Sequence, residues 1–255
     1  MLPIEEIKDF LDFKVNQFNR IEFIEFDPIS IPHRFSLKED IEISAFLTAT
    51  ISWGNRKAIL GAAKEMMKLM GESPYDFIME SNDFNKEKLT DFYYRTFNGV
   101  DFYYFLTAVK NIYLKYGGLE NVFNNLTSKY SVQESISQFR TIFFELPHSS
   151  RTLKHVSDPL NGSAAKRLNM MLRWFIRNDN KGVDFGIWSK ISPSKLSIPL
   201  DVHSGNTARK LGLLSRKQND AKSVAELDKV LRNFDPFDPV KYDFALFGLG
   251  VIEKF

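Results

Sequence analysis

The sequence predicts an all-α fold. Apolar residues recur at three- and four-residue spacing far more than in alternation. Three S-x-x-E helix-start boxes each precede such a stripe. Extended character is confined to Ile21–Phe26. With 255 residues, 44% of them hydrophobic and 24 of them Phe, the chain can bury an aromatic-rich core, which excludes disorder.

Taken in order, Asp27 to Pro32 reads as a loop because two prolines bracket it. Ser36 and Glu39 open a helix carrying Ile41, Ala45 and Ala49. Ile59, Ala62, Ala63, Met66 and Met70 mark the next helix. Phe105, Leu106, Val109, Ile112, Tyr113 and Tyr116 mark another, stopped by Gly117-Gly118. Ser131 and Glu134 precede Ile136, Phe139, Ile142, Phe143 and Leu146. Leu168, Met171, Leu172, Phe175 and Ile176 follow helical spacing, and residues 181–199 read as a long connection with at most one short helix. Ser223 and Glu226 precede Leu227, Val230, Leu231 and Phe234. Asp238-Pro239 looks like a cap and first-turn proline for a last, buried helix ending at Gly250.

Several chemistries are excluded. The chain has no Cys, hence no disulfide scaffold, thiol nucleophile, Cys-ligated zinc or Cys-ligated iron–sulfur cluster. It holds no phosphate loop, no G-x-G-x-x-G, no H-E-x-x-H and no G-x-S-x-G. His33, His148, His155 and His203 are scattered without ligand spacing. No cofactor and no metal are expected. No apolar run reaches membrane-spanning length, and the N-terminus carries acid where a signal peptide needs base, so the expectation is a cytoplasmic protein without a membrane partner.

Charge is unevenly spread. Residues 151–220 carry 13 Lys/Arg against 5 Asp/Glu, a local surplus of 8, although the whole chain is only +2. Such a segment is either a polyanion footprint or a solvated basic surface. Within it, Leu160-Asn161-Gly162-Ser163-Ala164-Ala165-Lys166 is a small-residue turn opening the Leu168–Ile176 helix. Unpaired amides at such a turn can meet a phosphate. On a helical wheel Lys166, Arg173 and Arg177 lie opposite the apolar stripe, toward solvent or a cleft. Further on, Ile198-Pro199-Leu200-Asp201-Val202-His203 sets an aspartate among apolar neighbours, where it can also serve as the N-cap of a helix over 204–214.

Together these two segments resemble the helix-hairpin-helix DNA glycosylase superfamily. Leu-Asn-Gly-Ser-Ala-Ala-Lys is similar to its hairpin, L-P-G-V-G-x-K, and Pro-Leu-Asp-Val-His to its P-V-D-[TV]-H. Phe46 to Arg56 resembles the helix that ends in lesion-probing polar residues, and Arg95 through Tyr116-Gly117-Gly118-Leu119 resembles a further family helix. The four segments occur in family order between Phe46 and Leu211. Asn161 replaces the usual proline and Ala164 the second glycine. The 35-residue step from Lys166 to Asp201 and the missing cluster cysteines are closest to the archaeal-type 8-oxoguanine glycosylases, and the chain as a whole reads as a remote branch forming an uncharacterised bacterial family.

The resemblance implies a base-excision glycosylase with lyase activity, with Lys166 as nucleophile and Asp201 as its catalytic carboxylate. It implies a damaged DNA duplex as partner, contacted by Gly162, Ser163, Ala164, Arg167, Arg173, Asn55 and Arg56. Trp53 and His203 fall in the lesion pocket, although core packing is the stronger reading of Trp53 because aromatics dominate cores. The lysine needs a lowered pKa, from burial or from Arg167 and Arg173 as cationic neighbours. The implied architecture is two helical lobes around a central cleft: a barrel over 40–198 ending in the hairpin, and a lobe built from 1–39 and 199–255, with Lys166 and Asp201 facing each other across the cleft. A monomer is expected. The alternatives are a non-catalytic nucleic-acid-binding protein of the same fold, and a protein-interaction module.

Overall fold

A computed structural model of the protein describes residues 3–80 and 89–255. They are mostly helical, with a two-stranded antiparallel hairpin that pairs Tyr93 with Asn98 and Tyr94 with Phe97. The chain forms two compact units. The first comprises Met1–Phe23, Ser131–Glu134 and Asp158–Phe255, and the second Ile24–Tyr130 and Ser135–Ser157. The hairpin segment and the helix after it therefore belong with both termini, where a barrel ending at residue 198 was expected. Lys166 and Asp201 lie in the same unit.

The second unit holds α2 (Lys38–Ile51), α3 (Arg56–Leu69), α4 (Pro74–Glu80), α5 (Gly99–Tyr116) and α6 (Leu119–Thr127). Part of α7 (Val132–Phe143) belongs to it as well. Its core is a Phe cluster. Phe105 meets Phe143 at 4.7 Å and Phe97 at 5.2 Å, and Phe139 meets Phe123 at 4.8 Å, edge-on or tilted as ring quadrupoles prefer. Gly117 stops α5 in the left-handed conformation, at φ 73°. The segment Ile21–Phe26, expected to be extended, is a 3-10 helix, and two more 3-10 turns, Pro28–Ser30 and Pro32–Arg34, fill the proline-bracketed loop.

The first unit holds α1 (Ile4–Phe18), α8 (Lys166–Ile176), α9 (Val202–Lys210), α10 (Ala221–Phe234) and α11 (Tyr242–Val251). The 181–199 connection holds a single 3-10 turn, Pro193–Lys195. The apolar α11 packs against both α1 and α9. Residues that bury α1 are Ile7, Leu11, Val15 and Phe18, at helical spacing. Among the described residues no helix is long and apolar enough to cross a membrane.

The α1–α11 contact is close because Gly248 has no side chain: a Cβ there would lie 2.3 Å from the Phe18 ring. Gly248→Ala should therefore destabilise the first unit by roughly 1–3 kcal/mol, as overpacked core sites do. Equilibrium urea unfolding measures this as a lowered midpoint at unchanged m-value.

Candidate active site

The site starts from a short 3-10 turn, Pro159–Asn161, capped by Asp158. Asp158 Oδ1 accepts the Leu160 amide at 3.1 Å, and Oδ2 accepts the Asn161 side-chain amide at 2.7 Å. Gly162 then turns the chain at φ 89°. Its N–H donates to Pro159 O at 3.0 Å and that of Ser163 to Asp158 O at 3.2 Å, while the Ala165 N–H donates to Ser163 Oγ at 3.1 Å. The turn amides of Gly162 and Ser163, expected to be unpaired for a phosphate, are thus already bonded within the turn. The backbone carbonyls of Pro159 and Asp158 accept them, and Ala164 is itself buried.

Ala165 precedes α8 at φ 44°, a left-handed conformation that costs an L-residue about 1–2 kcal/mol. It is held there by burial and by the Ser163 hydroxyl. The next carbonyl back, that of Ala164, accepts the Asn169 side chain at 3.0 Å, and Asn169 is fixed in turn by Gln133 at 2.9 Å. Lys166 is consequently the first residue of α8, aimed by a fully specified turn.

Asp201 is the N-cap of α9, as its sequence context allows. Its Oδ1 accepts the amides of His203 and Ser204 at 2.8 and 2.9 Å, and Ser204 Oγ accepts the Asp201 N–H at 2.9 Å, closing a reciprocal box. Upstream, Ile198 N–H donates to the buried Asp228 at 2.8 Å, which fixes the approach of the 198–201 segment. The other carboxylate oxygen, Oδ2, lies 3.9 Å from Lys166 Nζ. That is a charge contact, longer than a hydrogen bond. Both side chains stay accessible, with 28% of Lys166 and 21% of Asp201 exposed.

Arg173 and Arg177 do not face solvent as the wheel predicts. Every residue of α8 from Leu168 to Ile176 is buried, so the helix has no polar face there. Arg173 Nε donates to Asp184 Oδ1 at 3.2 Å and its Nη1 to Asp243. Arg177 Nη1 donates to Asp184 Oδ2 at 3.1 Å, its Nε reaches both oxygens of Asp238, and its Nη2 bonds Asp179 at 2.6 Å. Arg173 is therefore a buried, neutralised strut. It is removed both as a DNA contact and as a free cationic neighbour for Lys166. Arg167 is half-buried, and desolvation draws its guanidinium down to about 10.

Asp243 lies in the helix that the sequence predicts to be buried, and its charge role emerges only in the structure. Burial pushes its carboxyl up to about 6; Arg173 opposes the rise, Asp201 adds to it and Lys166 opposes it. Asp243 is thus electrically coupled to both members of the candidate pair. Nothing in its local sequence signals this, because its partner lies 70 residues away.

The remaining candidates are distributed. His203 is exposed beside Phe247, at 6.4 Å between rings, and lines a hollow of about 340 Å³ with Asn206, Arg209, Lys210, Gly250 and Phe255 rather than with Lys166 or Asp201. Trp53, Asn55 and Arg56 belong to the second unit. Asn55 is the exposed N-cap of α3, accepting the Ala58 amide at 3.2 Å. Trp53 is partly buried against Tyr94 at 5.5 Å and His155 at 6.1 Å. Among the described residues no group of three or more His, Asp and Glu is arranged to hold a metal ion.

The Asp243 carboxyl has a sign that can be checked. Its folded-state pKa lies above the ordinary aspartate value of about 3.8, so the native state holds a proton that the unfolded chain releases. The stabilisation is full below about pH 4 and is lost as pH rises through about 6. From pH 7 to pH 4.5, the stability of the wild type relative to Asp243→Asn should rise by on the order of 2 kcal/mol. Urea titrations of both proteins at the two pH values read this directly, and a pH-independent gap contradicts it.

No curated protein matches the chain, and no solved structure does. A single amine–carboxylate pair on a pinned turn and a helix cap is what the geometry offers, and residues 27–252 match the family described as a protein of unknown function, DUF2400, to which the chain belongs.

Proposed function

We propose that the protein is a base-excision DNA glycosylase with lysine-dependent lyase activity, acting on a damaged base flipped from a duplex, with 8-oxoguanine as the first lesion to test. The observation that carries this is the 3.9 Å approach of Lys166 Nζ to Asp201 Oδ2, between the two segments that resemble the glycosylase motifs. Both groups keep access to solvent and hence to a substrate.

In the proposed reaction, flipping removes the base from the stack at a cost of a few kcal/mol, least for a damaged pair. The neutral Lys166 amine attacks C1′ and the N-glycosidic bond breaks, the base leaving with the bonding pair and taking up a proton. Asp201 Oδ2 stabilises the positive charge that develops on the sugar. The ring opens to a protonated Schiff base between Lys166 and C1′. Loss of a C2′ proton expels the 3′-phosphate by β-elimination, and water then hydrolyses the imine to free the lysine. Attack requires the free amine. A 3.9 Å contact serves this chemistry better than a hydrogen-bonded ion pair, which would hold the proton on nitrogen.

A non-catalytic nucleic-acid-binding protein of the same ancestry is the second reading. It is favoured by the completeness of the Asp201 cap, which accounts for that residue without any chemistry. Borohydride trapping on duplexes with an 8-oxoguanine or an abasic site separates the two. The first reading expects a covalent adduct that Lys166→Ala abolishes. It also expects Asp201→Asn, which can still accept the capping amides, to slow adduct formation by roughly 10²–10³-fold. Binding that weakens with salt, with no adduct on any lesion substrate, supports the second reading.

A further inference from the structure

The geometry points to Asn219, seated by Gly205 and Arg209, as the positioning residue that ties the Asp201 cap to the turn bearing Lys166. This deepens the proposed lysine mechanism and rests on it for its catalytic meaning. Lys166 and Asp201 come from segments 35 residues apart, and their contact is too long to lock itself. The 209–221 segment supplies the missing link on both sides. On the cap side, Asn219 Nδ2 donates to Asp201 O at 2.9 Å, an oxygen that also accepts the Gly205 N–H at 2.9 Å. On the turn side, Ala221 N–H donates to Gly162 O at 3.0 Å, and Asp220 is bridged to Ser163. Three consecutive residues, Asn219 to Ala221, thus grip both arms of the site.

Asn219 is itself held. Arg209 Nη2 donates to its Oδ1 at 2.6 Å, while the same guanidinium donates to Arg216 O at 2.6 Å and Gln218 O at 3.0 Å. Gly205 makes the seat available, because a Cβ there would lie 2.6 Å from Asn219 Oδ1 and 3.0 Å from Arg209 Nη1. Glycine in a helix interior normally lowers stability relative to alanine. Here it opens room for a side chain from another segment.

Two variants break the tie without touching Lys166 or Asp201. Asn219→Asp keeps an acceptor for Arg209 but cannot donate to Asp201 O. Gly205→Ala leaves Asn219 intact and evicts it. Two measurements are made on the full chain: amide hydrogen exchange over residues 199–206, and single-turnover borohydride trapping on an abasic duplex. Both variants should exchange faster at His203, Ser204 and Gly205. They should slow trapping roughly tenfold at saturating DNA, with half-saturation unchanged. Lys217→Ala, an exposed change in the same loop, should do neither. Unchanged exchange in both variants overturns the tie, whether or not the wild type forms an adduct. Faster exchange with wild-type trapping overturns its positioning role. A wild type that forms no adduct defeats the lysine mechanism, and with it the catalytic role of Asn219, while the exchange result still decides whether the tie exists.

Discussion

Arg173, on the wholly buried stretch Leu168–Ile176 of α8, and Arg177, one turn on at its C-cap, impose the central constraint on the first unit. Arg173 and Arg177 cannot carry their charge to water, and removing a guanidinium from solvent costs several kcal/mol unless its donors are met. Asp184 meets both, one oxygen to each. Asp243 completes Arg173, while Asp238 and Asp179 complete Arg177. The acids come from the 179–184 loop, the turn before α11, and α11 itself, so α8 is set only when all three are in place. These bonds tie α8, and with it the turn bearing Lys166, to the C-terminal part of the first unit. Arg173 also lies over the Phe244 ring, at 4.3 Å, so the same cation secures the apolar packing of α11.

That frame delivers Lys166 to a carboxylate whose two oxygens do different work. Oδ1 of Asp201 is saturated by the first-turn amides of α9. Those bonds fix the plane of the carboxylate and leave Oδ2 directed at the lysine. A helix cap and a counter-charge are thus one residue without conflict, because a carboxylate has lone pairs for both. The coupled Asp243 behind the pair makes the local balance of charge sensitive to its protonation.

The sequence made the helices legible and their starts less so. The stripe through Ile59 and Met66 and the one through Phe105 and Tyr116 give α3 and α5, because one-sided burial writes itself at helical period. Of the three S-x-x-E boxes only Ser131–Glu134 forms, with bonds in both directions. Leu37, not Ser36, precedes α2. Asp220 caps α10 three residues ahead of Ser223, which is then buried, while Glu226 turns to the Ser215 amide. The boxes that do form at Asn98–Asp101 and Asp201–Ser204 use residue pairs outside that pattern. Local motifs name a residue that is able to cap; the tertiary fold decides where the helix begins. The Lys166–Asp201 pair was legible only through its resemblance, since no spacing rule connects positions so far apart.

The basic surplus of residues 151–220 shows the same limit in electrostatics. Linear counting treats each arginine as surface charge, yet Arg173 and Arg177 are discharged internally, partly by Asp238 and Asp243 from beyond the segment. Arg151 pairs with Asp101, which lies before it, and Arg216 pairs with Asp220. The surplus arises in part because Asp101, Asp238 and Asp243 fall outside the counting window, not because every cation faces solvent. The turn before α8 likewise spends its polar groups locally. The Asn161 side chain folds back onto Asp158, whose carboxylate and carbonyl take up donors of the turn. The Gly162 and Ser163 amides are therefore spent within the turn, and the positive charge available beside them is that of the Lys166 side chain, 28% exposed at the start of α8.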